Sequence, residues 1–248
     1  TFPATVKMKI RQKLREANTL YEEVPLEVLI VGSNFETKRE QVMVSGSVTQ
    51  VEVKVEFEPR FVILDDQGLI SDARIIDRQM IKESGTYDFN DYQQLRMVVN
   101  SVEDSAMVAL THHWVYADPF ISNPGIRISD YHYWSFDGVW DDLDADLIYR
   151  FDAPALIDHT LEIDNEDSLV MLYKRYPYMD WEVVEDAEVN EVGNPNDGRG
   201  FITIPSARPG YYALGMRDYE IAGIPDSHKI NDYRIYPNPA NNTLQMND

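Results

Sequence analysis

"QVMVSGSVTQVEVKVEFEP", Gln41 to Pro59, is the stretch that decides the fold. Val42 and Val44 lead into a Ser-Gly-Ser turn. Val48, Val51, Val53, Val55 and Phe57 follow, with charged residues on the opposite face from Glu52 onward. From Val51 an apolar residue at every second position puts one face of an extended chain on a core and the other in water. The Ser-Gly-Ser turn separates the two strand runs. The same period continues outward. "TVKMKIRQ" alternates Val6, Met8 and Ile10 with Lys7, Lys9 and Arg11. "LEVLIVG" (Leu26 to Gly32) is a more buried strand after Pro25, and "RFVILDDQG" ends in an Asp-Asp-Gln-Gly turn. Five or six short strands without a helical period predict a first antiparallel β-sandwich over residues 1–82.

The pattern loosens from Ile70 to Asp91, which places a junction near residues 80–90. Eight further strand-like runs follow: "QQLRMVVNSV", "SAMVALTHHWVYA", "DYHYWSFDGVW", "ADLIYRFD", "DSLVMLYKRYP", "WEVVEDAEV", "RGFITIPS" and "GYYALGM". Turn formers such as Asn123-Pro124-Gly125 and Arg208-Pro209-Gly210 separate them. This predicts a second, larger sandwich over 83–218, then a polar, Pro-rich tail over 219–248. The fold class is therefore all-β, two consecutive antiparallel β-sandwich domains.

Composition narrows the functional classes. Twenty-two Lys and Arg stand against 43 Asp and Glu among 248 residues, a formal charge of −21. Such a surface repels nucleic acid and anionic lipid. There is no cysteine, which removes disulfides, thiolate metal sites and cysteine nucleophiles. No apolar run reaches the ~20 residues that span a bilayer. The opening "TFPATVKMKI" carries neither initiator Met nor signal peptide and reads as part of something longer.

"ALTHHWVYADP" (Ala109 to Pro119) holds two of the five histidines side by side. On a strand His112 and His113 point to opposite faces and cannot grip one ion together. His132, His159 and His228 complete the set, and none stands in a recognised zinc spacing. The reading is a structural strand. Asp141, Asp142, Asp144 and Asp146 are calcium candidates by chemistry, without the loop or terminal Glu of an EF-hand. In "YHYWSFDGVW", Tyr131, Tyr133 and Ser135 share one face and His132, Trp134 and Phe136 the other, so at least one aromatic face enters the core. Tyr131, Trp134, Trp140 and Trp181 are the candidates for a binding surface for glycan or protein. Nucleophile-elbow, P-loop and dinucleotide motifs are absent, and no catalytic or cofactor-binding residue is assigned.

Two resemblances follow from quoted residues. "IYPNPANNTLQ" (Ile235 to Gln245), with Tyr236, Pro237, Asn238 and Pro239, resembles the start of the C-terminal sorting domain of Bacteroidetes type IX secretion. It implies a secreted or cell-surface bacterial protein, with the secretion machinery as partner. "TVKMKIRQKL…LYEEVPLEVLIVG…VEVKVEFEPRFVILDDQGLI" is similar to the sandwich that follows the catalytic domain in family M1 zinc aminopeptidases. The marks are Gln12, Tyr21, Pro25, and Pro59, Val62 and Asp65 in a P-x-x-V-x-x-D string. The H-E-x-x-H and G-x-M-E-N motifs of that family are missing, so no zinc or catalytic residue carries over. The resemblance implies a non-catalytic C-terminal region, with the zinc and the catalytic domain upstream. An adhesion or glycan-binding module is the alternative. "DSA" at Asp104 and "DSL" at Asp167 resemble Bacteroidetes O-glycosylation sites.

Overall fold

In the computed structural model residues 3–218 are described, apart from 16, 91, 123, 155, 156, 164 and 195. The expected sorting-signal residues Tyr236 to Pro239 lie outside the described residues. Both runs of the Gln41–Pro59 stretch form strands, joined by the turn but not paired with each other. Strand β3 (Thr37–Val44) turns through Gly46 into β4 (Val48–Val55). The two strands then enter different sheets. β4 pairs with β1 (Ala4–Arg11), while β3 pairs with β2 (Val24–Gly32), which also pairs with β5 (Pro59–Leu64). Between these two sheets lie Ile10, Leu26, Val28, Ile30, Val44, Val53 and Val55. This is the first sandwich.

The second sandwich starts earlier than the sequence suggests. β6 (Arg74–Ile81), expected in the first unit, pairs along its whole length with β9 (Ala106–His113), so the junction falls between Leu64 and Arg74. The larger sheet also holds β11 (Tyr133–Val139), β17 (Gly210–Arg217), β13 (Leu169–Lys174) and β14 (Glu182–Val183), in the order β14-β13-β17-β11-β9-β6. β10 (Ile126–Ile128) pairs on β17 beside that path. The facing sheet runs β15 (Glu188–Glu191), β16 (Arg199–Ile204), β12 (Leu143–Asp152), β8 (Leu95–Val102) and β7 (Gly85–Asp88). "WEVVEDAEV", which reads as one strand, breaks into β14 and β15 in different sheets. Every strand pairing is antiparallel. Among the described residues no helix is long and apolar enough to cross a membrane.

The outer face of the larger sheet is covered twice, which is why β13 and β17 are apolar on both faces. Over one half, Leu29, Val31 and Ile63 of the first sandwich pack on Met107, Ala109 and Val139. Over the other half, the 115–120 segment and Trp181 cover Val170, Leu172 and Ala213. The first contact is an apolar seam that joins the two sandwiches.

Candidate functional site

The alternation of β9 sends the paired histidines apart, as the sequence reading expects. His112 turns inward with Val108 and Leu110, and His113 turns outward on the face of Met107 and Ala109. On β11, His112 lies opposite Trp134 and His113 opposite Tyr133. His112, His132 and Asp158 are all fully buried. They form a chain that no sequence spacing announces. His112 Nδ1 lies 2.7 Å from the Tyr92 carbonyl, and its Nε2 lies 2.9 Å from His132 Nδ1. His132 Nε2 is 2.9 Å from Asp158 Oδ1, and the Tyr149 hydroxyl donates to Asp158 Oδ2 at 2.5 Å. Asp158 reaches the core from a single turn of 3-10 helix, Ile157–Leu161.

Each contact in the chain needs one proton, and lone pairs facing each other are excluded. A carbonyl only accepts, so His112 Nδ1 carries a hydrogen. One proton lies between the two imidazoles and one between His132 and Asp158. Three protons over two imidazoles and one carboxyl make the group neutral as a whole, wherever the last proton rests. It does not rest on His112: burial first, then the neighbouring His132, push that imidazole down to about 3. Burial, then Asp158, hold the Tyr149 phenol well above its ordinary range. The chain is enclosed by the rings of Trp114, Trp134 and Tyr149. The four titratable groups use one another's hydrogen-bonding capacity, and the direct contacts leave no gap between them for an ion.

A second polar cluster crosses the seam. Residues 11–15, following β1, reach over to the segment after β9. Lys13 bonds Asp118 at 2.9 Å and the Tyr116 carbonyl at 3.2 Å, with its ammonium 4.7 Å above the Tyr133 ring. Arg15 donates to the Trp114 carbonyl at 3.0 Å and lies 4.7 Å over Tyr131. Asp118 also takes Arg11 at 3.5 Å and the buried Lys174 at 2.9 Å. Lys13 and Lys174 hold the Asp118 carboxyl below the usual range against the opposing effect of burial. At the other end of the seam Arg39 grips Asp66, which Arg78 of β6 also approaches at 3.5 Å.

The structure corrects several candidates. Trp134 and Trp181 are 1% and 5% exposed and serve as core, not as surface. Trp181 donates to the Asp118 carbonyl and lies under Lys174. Tyr131 is half-buried beneath Arg15, and Trp140 packs on Phe136. Several exposed apolar side chains lie in the segments around Trp181 and Asp118: Tyr116, Ile121, Tyr176, Tyr178 and Met179, with Ile121 and Tyr178 both 77% exposed. The 175–180 and 119–122 loops that carry most of them are stitched together by Asp180. It accepts from the Ile121 and Ser122 amides and the Ser122 hydroxyl. The run "KRYPYMDW" signals this platform through aromatics at a Pro-containing turn, where no partner strand covers them.

Of the calcium candidates, Asp144 accepts from the Ser206 hydroxyl and Asp146 from the Ser206 amide, while Asp141 and Asp142 are exposed at the strand start. Among the described residues no group of three His, Asp or Glu side chains is placed to hold a metal ion. Ser168 of "DSL" is buried and inaccessible to a glycosyl transfer, whereas Ser105 of "DSA" lies partly exposed at the turn between β8 and β9. No protein-family model matches the chain, and no curated protein matches it.

Proposed function

We propose that this chain is a rigid, non-catalytic two-sandwich region of a secreted bacterial zinc metallopeptidase resembling family M1. In this reading it buttresses the catalytic domain or shapes access to its cleft. The zinc belongs to the upstream catalytic domain, and export uses the type IX machinery through the C-terminal run. The observation that carries the reading is the seam: Leu29, Val31 and Ile63 against Met107, Ala109 and Val139, flanked by the Lys13–Asp118 and Arg78–Asp66 bridges. Two sandwiches fused this way hold a fixed angle, as a support requires. The residues that carry the resemblance to the post-catalytic sandwich are structurally engaged in this chain. Gln12 donates to the Tyr21 and Gly46 carbonyls and accepts from the Tyr21 amide, and the Asp65 carboxylate caps the Leu69 and Ile70 amides.

The test has two arms. An antibody raised against this region should recover from culture medium a longer polypeptide with chelator-sensitive aminopeptidase activity. A recovered protein without that activity sinks the peptidase assignment. Unfolding of the 248-residue chain in urea should show one transition by both tryptophan fluorescence and β-sheet circular dichroism. Separate transitions for the two sandwiches refute the rigid support.

The platform of Tyr116, Ile121, Tyr176, Tyr178 and Met179 favours a second reading, an adhesion module for glycan or protein. Glycan-array binding that is abolished by Tyr178→Ser, with stability unchanged, would replace the first reading by the second.

A further inference from the structure

We propose that His113 is an acid-operated release for the arm, residues 11–15, that ties the first sandwich to the second. Its imidazole lies on the outer face of β9, stacked on Tyr133 at 4.4 Å and 6°, with Nε2 3.1 Å from the Ser135 hydroxyl. The same tyrosine ring seats the Lys13 ammonium. The strands on either side bring Arg74 and Tyr133 opposite His113 in register. The charged and titratable groups around it are therefore Arg74 and its bound Asp72 from the β6 side, Tyr133 from β11, and Lys13 from the arm. His112 adjoins it on β9, and Asp118, with Arg11 and Lys174, lies beyond Lys13. No carboxylate hydrogen-bonds His113 among the described residues.

A proton arriving on this ring adds a third cation to the two, Arg74 and Lys13, that already act on it. Arg74 is held by Asp72 and by its strand. Lys13 stands on irregular chain after β1 and is the group free to leave. His113 keeps some solvent contact, so a proton can reach it without unfolding the sheet. The packed protein around it still governs its charge: burial, then Arg74 and Lys13, hold the imidazole well below its ordinary range. The closed arm therefore contains neutral His113, and an open arm, which removes Lys13 and the burial the arm supplies, lets the ring take up a proton more readily. Opening is favoured as pH falls below about 6.5 and is unaffected above it; about 30-fold at pH 5 is the ceiling, set by a wholly freed imidazole, and Arg74 and the closed seam keep the rise below it. Asp118 is held ionised through that window by its two lysines, so loss of its charge does not account for the release. The apolar seam stays closed; only the arm leaves.

The experiment is hydrogen exchange by mass spectrometry on the 248-residue chain and its His113→Gln variant, compared at pH 7.5 and at pH 5.0. Comparison at equal pH cancels the intrinsic exchange rates. The native chain should lose protection relative to the variant at pH 5.0, by up to about 30-fold and only in peptides covering 11–20 and 113–122, and not at pH 7.5. Lys13→Met, which removes the repelled cation but keeps its stem, should abolish that pH-dependent difference. Equal acid-induced loss in the native chain and His113→Gln overturns the proposal, as does loss spread over both sandwiches.

Discussion

Replacing Asp158 separates the shape of the buried chain from its charge. Asp158→Asn keeps an oxygen for the Tyr149 hydroxyl and offers an N–H to His132 Nε2, in place of the proton shared at 2.9 Å. The imidazole-to-imidazole contact at 2.9 Å and the Tyr92 contact at 2.7 Å are untouched. All four contacts survive with no charge in the core. One amide hydrogen is left over, so the cost should stay within about 1 kcal/mol. Asp158→Ala instead strands His132 Nε2 and the Tyr149 hydroxyl where no water reaches them. At about 1–3 kcal/mol for each unsatisfied group, the loss is about 2–6 kcal/mol, a large part of a domain's stability. Urea unfolding at pH 7.5 followed by tryptophan fluorescence measures both, since Trp114 and Trp134 adjoin the chain. If Asp158→Asn is as damaging as Asp158→Ala, the carboxylate charge itself is required. The reading of the chain as held by its hydrogen bonds rather than by charge then fails.

Further outcomes are expected. His112 is neutral when folded, with a pKa near 3, and becomes an ordinary histidine when unfolded. Its contribution is intact above about pH 6.5 and shrinks by about 1.4 kcal/mol per pH unit below it, levelling off near the folded value. Between pH 7.5 and 5.0 the native chain should therefore lose about 2 kcal/mol more than His112→Gln in parallel urea titrations. A Cβ on Gly138 would lie 2.0 Å from the Met107 carbonyl oxygen, which belongs to the ladder and cannot yield. Gly138→Ala should cost at least about 1–3 kcal/mol, read as a lowered thermal midpoint. Leu29 is 1% exposed and belongs to the seam, so Leu29→Ala should cost about 2–5 kcal/mol and weaken hydrogen-exchange protection on β9 as well as on β2.

What could be read from the sequence depended on how local its cause was. The alternation from Val51 to Val55 is set residue by residue, and that strand forms where it places it, while the apolar run at Ala106–Leu110 marks a strand covered on both faces. β6 was hidden because it is an edge strand: "RIIDRQMI" mixes Arg74, Asp77, Arg78 and Gln79 with its isoleucines and has no clean period. The aromatic residues misled for another reason. Composition shows that Trp134 and Trp181 are large and amphipathic, but not that Trp134 faces the inter-sheet core or that Trp181 belongs to a layer covering the outer face of the larger sheet. Asp158 could not be foreseen, since its meeting with His132 depends on β11, β12 and the turn after β12 arriving together. A partial signal existed. His112 and His132 both fall in the apolar phase of their strands, and a buried imidazole must find a partner.

That phase also bears on strand register. His112 lies opposite Trp134, and His113 opposite Tyr133. A slip of β9 by one residue would turn His113 into the inter-sheet core, where His132 needs a ring nitrogen at His112's position, and would turn His112 out toward Arg74 and Lys13. Apolar pairs along the strand, such as Leu110 with Phe136 and Val108 with Gly138, would tolerate such a slip poorly but without an unpaired group. The two imidazoles do not tolerate it. The inner ring is satisfied only by Tyr92 and His132 together, and the outer only by the Tyr133 face and Ser135. Two adjacent histidines that look like a metal site thus favour one register, because the observed alignment of β9 against β11 pairs both imidazoles, the inner one in a dry interior.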